Sequence, residues 1–195
     1  MRFRVVVADP PWSFDDKLTM SDVARGSEAN YPVMPVRHLA DIGLLVQKVV
    51  EDDAVLALWF VAAQAQAGLN VMKAWGFRQT QIWTWEKLTK RGKKAFGLGR
   101  LARNCTEHLY VGVRGSPYKY LTDKTRRSSF EAAIGPHSQK PEALQDMLDA
   151  MFPGEAKVEL FARRDRPGWV CCGLECPSTP GEVVEDSLHR LWELS

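Results

Sequence analysis

The stretch Phe3-Arg4-Val5-Val6-Val7-Ala8-Asp9-Pro10-Pro11-Trp12 decides how the chain is read. Residues 3–8 form an apolar run of the length and composition of a fully buried strand. A carboxylate, two prolines and an indole stand at its carboxyl end. In open α/β sheets ligands bind outside that edge, which marks this turn as a site. Proline has a fixed φ and no N–H, and the residue before a proline is held extended. Asp9 and the carbonyl of Pro10 are thus expected to be presented with little freedom. Two acceptors beside a flat apolar ring suit an exocyclic amino group on an aromatic base: the acceptors take its N–H bonds and Trp12 stacks on the ring. On these four residues alone, a rigid turn that merely ends a strand is an equal reading.

Outward from this turn, the 195 residues fit one domain with a substantial core. A composition of 45% hydrophobic and 26% charged residues excludes disordered and fibrous classes. No apolar run is long enough to span a bilayer and Met1-Arg2-Phe3 opens no signal peptide, so a cytoplasmic enzyme without membrane contact is expected. Cys105, Cys171, Cys172 and Cys176 lack paired CxxC spacing and nearby histidines. They read as buried thiols, with neither a metal site nor a disulfide framework.

Net charge is +2, but it is unevenly distributed. Residues 87–127 hold twelve Lys and Arg against Glu107 and Asp123, leaving −8 on the rest of the chain. A basic block on an otherwise acidic protein is what binding to a phosphate backbone needs. A solvated basic loop is the competing reading.

The elements alternate. Ser13 to Val33 is polar and irregular, a loop placed to act as a lid. Val36 to Val50 has helical spacing, Ala54 to Phe60 is a second strand, and Ala62 to Trp75 a second helix closed by Gly76. Phe77 to Trp85 is a third strand, leading into Glu86 and Lys87. Leu88 to Thr106 contains Gly92, Gly97 and Gly99 and reads as a basic loop, in which Arg100, Arg103 and Asn104 are candidate nucleic-acid contacts. Glu107 to Val113 is the next strand. Arg114 to Ser129 interleaves Tyr118 and Tyr120 with positive charge, as single-strand binders do. Ser138 is read as the cap of a helix carrying Leu144, Met147, Leu148 and Met151 on one face. Lys157 to Phe161 and Trp169 to Cys172 are the last strands, and Val184, Leu188, Leu191 and Trp192 mark a helix in the segment 181–195. This order predicts an α/β fold, a mostly parallel sheet with helices on both faces.

A collinear set of short motifs then carries a resemblance. Asp9-Pro10-Pro11-Trp12, Tyr31-Pro32-Val33-Met34, Leu58-Trp59, Trp75-Gly76-Phe77, Glu107-His108, Val111-Gly112-Val113-Arg114-Gly115, His137-Ser138-Gln139-Lys140-Pro141, Glu159-Leu160-Phe161-Ala162-Arg163 and Gly168-Trp169 fall in one order. That order resembles the adenine-N6 methyltransferase family typified by the catalytic subunit of the messenger-RNA adenosine methyltransferase, over residues 3 to 175. The resemblance implies a Rossmann-like fold in permuted motif order, S-adenosyl-L-methionine as methyl donor, and adenine in nucleic acid as acceptor. It implies Asp9, Pro10, Pro11 and Trp12 as the catalytic motif, and Asp9, His137, Ser138, Lys140, Phe161, Arg163 and Glu175 along the cofactor. Trp12, Trp85 and Lys87, with the basic-loop residues Arg100, Arg103 and Asn104, would receive the substrate. Leu174 and Glu175 depart from the Asn and Gln common at those positions, and Glu86 stands where an aliphatic residue is common.

DNA is preferred to RNA as the acceptor, because small stand-alone members of the family typically act on DNA. An RNA enzyme and a non-catalytic nucleic-acid-binding or scaffold subunit are the alternatives; the intact Asp-Pro-Pro-Trp motif argues against the scaffold. A homodimer or a heteromeric partner is compatible with the sequence.

Overall fold

The computed structural model describes residues 2–13, 33–99, 101–135 and 139–194. The segment 14–32, read above as a lid, together with Arg100, His137 and Ser138, lies outside them. The described chain forms strand β1 (Phe3–Ala8), helices α1 (Val36–Asp41) and α2 (Gly43–Val49), strand β2 (Val50–Phe60), helix α3 (Ala65–Ala74), and strands β3 (Arg78–Leu88), β4 (Thr106–Arg114) and β5 (Ser129–Ala133). Helix α4 (Ala143–Met151), strands β6 (Lys157–Leu160) and β7 (Val170–Cys172), and helix α5 (Val184–Glu193) follow. No helix among the described residues is long and apolar enough to cross a membrane.

The strands make one sheet in the order β5-β3-β4-β2-β1-β6-β7. Four neighbour pairs are parallel and the two made by β4 are antiparallel. The sheet is therefore mostly parallel, as expected, with one reversed strand. The reversal follows from the connection: no helix separates β3 from β4, and a parallel return needs a crossover. Both ends of the loop 89–105 accordingly sit at one sheet edge. Alternation along the strands sorts the core. Val6, Ala8, Leu56 and Leu58 meet α1, α2, α3 and α5 on one face, and Val5, Val7, Ala57 and Trp59 meet α4 on the other.

Three of the differences from the sequence reading bear on how the elements pack. The helix read over 36–50 is broken at Ile42 into α1 and α2. The indole N–H of Trp75 donates to the Leu39 carbonyl at 2.7 Å, taking the acceptor that an unbroken helix would offer to the Gly43 N–H. Strand β5 was not anticipated: it is an edge strand with only Phe130 and Ala132 turned toward the core, too short an alternation to stand out. Helix α4 begins at Ala143 with Glu142 at the N-cap and no side-chain cap bond; Ser138, read as its cap, lies outside the described residues. The cysteines are all unbridged; Cys171, Cys172 and Cys176 are buried and Cys105 is half-buried.

Gly43 sits where α3 ends against the α1–α2 break. A Cβ there would come within 2.6 Å of the Ala74 carbonyl oxygen and 2.9 Å of the Trp75 ring. Gly43→Ala is expected to destabilise the protein by about 2 kcal/mol and to lower Tm by roughly 4–8 °C. Calorimetry checks this; an unchanged Tm would show that the two helices yield freely.

Candidate active site

The parallel strands end at one edge, and the reversed β4 begins there. That edge collects Asp9 after β1, Trp59 from β2, Trp85 and Lys87 from β3, Glu107 from the start of β4, and Phe161 after β6. The turn after β1 is as tight as its prolines require. The Trp12 N–H closes on the Pro10 carbonyl at 2.9 Å, and the Met34 N–H donates to the Pro11 carbonyl at 2.7 Å. One Pro10 lone pair is thus spent within the turn, and a carbonyl oxygen keeps a second.

Four charged side chains alternate in sign across this edge. Lys140 Nζ lies 3.0 Å from Asp9 Oδ2 and 3.3 Å from Glu107 Oε2, and Lys87 Nζ lies 2.5 Å from Glu107 Oε1. The indoles of Trp59 and Trp85 meet edge to face, with centroids 6.3 Å apart. Lys140 Nζ is 5.4 Å from the Trp59 ring and Lys87 Nζ 5.3 Å from the Trp85 ring. The cluster is only partly open to water. Burial alone would drive Lys140 toward neutrality, yet the carboxylates of Asp9 and Glu107 outweigh it and hold the ammonium above its ordinary range. Burial likewise pushes Glu107 up, and Lys140 with Lys87 reverses the sign, leaving its carboxyl below the usual range. Lys140 and Glu107 therefore stay charged together at neutral pH.

Trp12, read as a stacking face, and Trp85, read as a substrate contact, are both buried. Trp12 is 5% exposed, lies in the core with the α1–α3 side, and donates its N–H to the Trp59 carbonyl at 3.1 Å. Trp85 is 2% exposed and donates to the Ala132 carbonyl at 2.9 Å. Their flat faces are turned inward because each N–H finds its acceptor in the fold. Trp12 clamps the Asp9–Trp12 turn to the end of β2. Glu86, one residue from Trp85 and hence on the opposite face of the strand, pairs with Lys94.

The segments after β6 and β7, which carry the residues expected along the cofactor, adjoin this edge. Phe161 is the one non-glycine residue with positive φ among those described, at 62°. A bulky residue in that region is a strained conformation of the kind found at functional sites. Gly173 lies against it: a Cβ there would meet the Ala162 carbonyl oxygen at 2.3 Å. Arg163 pairs with Glu175 at 3.9 Å, so these two expected cofactor residues are neighbours. Glu159 instead accepts a bond from Gln145 at 2.9 Å, and its burial raises its pKa. Arg164 ties the segment to the cluster by donating to the Lys140 carbonyl at 3.1 Å.

Asp9, Lys140 and Lys87 are linked through Glu107, and Phe161, Arg163 and Glu175 form a second group. Arg103 and Asn104 belong to the exposed loop 89–105, while Arg100, His137 and Ser138 lie outside the described residues. Glu107 was quoted only as part of a motif and given no role. The signal that could have found it is the direction of β4, which brings the first residues of that strand to the carboxyl edge of its neighbours.

The chemistry of this donor set fits S-adenosylmethionine. An acid and an ammonium 3.0 Å apart present the two charges that complement the zwitterionic head of an amino acid. The close backbone approach of Gly173 to Ala162 brings the segments after β6 and β7 together, with Arg163 and Glu175 paired beside them. Comparison with known proteins gives the same family. The MT-A70 family matches residues 3–175. The chain is similar to the Type II methyltransferase M.MunI of Mycoplasma sp., at 28% identity over 95% of this chain and 85% of that protein. It is also 26% identical to the human N(6)-adenosine-methyltransferase catalytic subunit METTL3 and to the MT-A70-like protein of Drosophila melanogaster, over 88% of this chain. The chain spans 28% and 26% of their respective lengths. With the family matched over most of its length and the site in place, the chain belongs to the MT-A70 family of methyltransferases, whose methyl donor is S-adenosylmethionine.

Proposed function

We propose that this methyltransferase acts on the N6 amino group of adenine in DNA, and that the carboxyl edge of the sheet is its active site. The observation that carries the reading is the run of charges Asp9, Lys140, Glu107 and Lys87 beside the Pro10 carbonyl. Asp9 and the second lone pair of Pro10 accept the two N–H bonds of the amino group. This aims the nitrogen lone pair, otherwise delocalised into the ring, at the methyl carbon. The bound cofactor supplies a methyl already activated on a cationic sulfur. Asp9 and Pro10 would hold the acceptor nitrogen in line with that methyl, and the nitrogen, made cationic by accepting it, would then lose its proton to water. The protein's work is orientation and placement of charge, of which orientation alone can supply on the order of 7–11 kcal/mol of barrier.

Lys140 holds the cofactor carboxylate, with His137 and Ser138 beside it in sequence, and Phe161, Arg163 and Glu175 follow the cofactor toward its ribose. Glu107 and Lys87 line the acceptor side. Pro11 and Trp12 fix the turn, while Trp85 and Trp59 form its apolar floor. Arg100, Arg103 and Asn104 meet the phosphate backbone. DNA is favoured by similarity along nearly the whole chain to a Type II methyltransferase. RNA is the second reading, favoured by the names of the N(6)-adenosine-methyltransferase relatives. The deciding assay follows labelled methyl from S-adenosylmethionine into single-stranded DNA, duplex DNA and RNA, with nucleoside analysis. N6-methyladenine in DNA is expected; label confined to RNA overturns the DNA reading, and neither label nor cofactor binding returns the scaffold alternative.

In the same assay Asp9→Ala is expected to lower transfer by about 10²–10³-fold while leaving far-UV circular dichroism unchanged, since Asp9 lies past the strand end. Equal activity would remove Asp9 from the reaction. Lys140→Met is expected to weaken cofactor binding by roughly 10–100-fold, the equivalent of one charge-assisted bond, as read by calorimetric titration.

Lys140→Met also releases Glu107. In the native protein its depressed carboxyl contributes stability above the ordinary carboxylate range and loses it as pH falls through the lower folded value. Without Lys140, burial is opposed by Lys87 alone, so the Glu107 pKa rises and that contribution shrinks. Carbon-13 titration of the Glu side chains reads the shift. Lys140, held above its ordinary range, contributes below that range and loses the contribution only as pH rises through its folded value. Cofactor affinity is therefore expected to be flat between about pH 6 and 9 with respect to both groups.

A further inference from the structure

The loop 89–105 joins β3 to β4 at the catalytic edge, and its composition is unusual for a connection. It carries six Lys and Arg and no Asp or Glu. Lys94 is spent on Glu86 and Glu131, back on the sheet. Between the remaining cations stand three large apolar side chains almost wholly in water: Phe96 is 77% exposed, Leu98 89% and Leu101 104%. Exposed apolar side chains gathered in one segment mark an interaction surface. The guanidinium of Arg103 lies 4.7 Å from the Phe96 ring, a cation stacked on an aromatic face.

The loop is held in shape. Its root is tied by the Lys87 N–H to the Cys105 carbonyl and by the Ala95 N–H to the Lys87 carbonyl, both at 2.8 Å. Above that, the Gly97 N–H donates to the Asn104 carbonyl at 2.9 Å. Two glycines let the strands of the loop close: a Cβ on Gly97 would meet the Asn104 carbonyl oxygen at 2.5 Å, and one on Gly99 the Ala102 carbonyl oxygen at 1.9 Å. Leu98 and Leu101, beside these closely packed glycines, project into solvent. The root is continuous with the active site, because Lys87 pairs with Glu107.

A target adenine within a duplex must leave the stack to reach Asp9, and the gap it leaves must be filled or the base returns. Apolar side chains carried on a basic element are the means by which proteins open a base step. We propose that the loop is a wedge for duplex DNA: Leu98 and Leu101 enter the base stack beside the extruded adenine while Lys90, Arg91, Lys93 and Arg103 hold the flanking phosphates. This rests on the reading of the chain as a DNA adenine methyltransferase and names the form of DNA it takes. The charge of the loop selects a polyanion over an apolar protein surface.

The test compares the wild type with Leu98→Ser/Leu101→Ser, a pair of exposed positions remote from the fold's core. Bacterial genomic DNA lacking adenine methylation is used native and heat-denatured, with labelled S-adenosylmethionine. The expected result is at least a tenfold loss on native DNA and less than threefold on denatured DNA. Permanganate oxidation of thymines left unstacked gives a second readout that needs no methyl transfer: with S-adenosylhomocysteine present, wild type is expected to raise thymine reactivity in the duplex and the variant is not. Equal losses on both forms of DNA, no loss on either, or equal permanganate reactivity overturns the wedge. So does sedimentation showing a wild-type dimer that the variant abolishes with discrimination between DNA forms unchanged, which would assign the tip to a second copy of the chain. If wild type methylates neither DNA, the functional reading fails, and permanganate alone decides the wedge.

Discussion

The pairing of Asp9 with Lys140 joins residues 131 positions apart, one after the first strand and one before α4, and the site depends on it. Neither charge is freely hydrated, and taking an ion out of water costs several kcal/mol after relaxation. The pair persists because Lys140 also meets Glu107, which meets Lys87. Such a chain is poor value for stability alone, since apolar side chains of similar size would pack there without desolvating anything. It is well suited to a site where a charged ligand must exchange places with one of the members.

That chain is held from below by a second set of contacts. Arg166 bridges Glu142, Asp146 and Asp149 along α4, and the Trp169 indole donates to Asp149. Arg164 reaches both Glu142 and the Lys140 carbonyl. The segment after β6 is thereby fastened to the same helix that follows Lys140. Strain at Phe161 is affordable in this setting, because the residues on either side are fixed by bonds that a relaxed backbone would break.

Much of this was legible in the residues. The apolar run 3–8 followed by Asp-Pro-Pro-Trp marks a strand and its functional end, since continuous β-branched residues have no other economical placement. Lys140 was reachable only through the order of motifs, as nothing local distinguishes it from a surface lysine. Glu107 escaped because its meaning depends on strand direction, a property of the whole sheet. The orientation of Trp12 and Trp85 escaped for a related reason: an indole between a cleft and a core is claimed by whichever carbonyl its N–H can reach, and those carbonyls belong to Trp59 and Ala132, distant in sequence. The break at Ile42 likewise came from Trp75, a tertiary contact overriding a helical period.

The distribution of thiols has a practical meaning. Three of the four cysteines are shut inside the β7 region, and burial pushes the Cys171 thiol up to about 12, so it stays protonated and inert in ordinary buffers. Cys105 alone is half-open, and its carbonyl closes the root of the 89–105 loop. The protein thus carries a native attachment point at the junction between sheet and loop. A fluorophore or spin label set there without engineering would report on the surroundings of that junction with and without cofactor and acceptor.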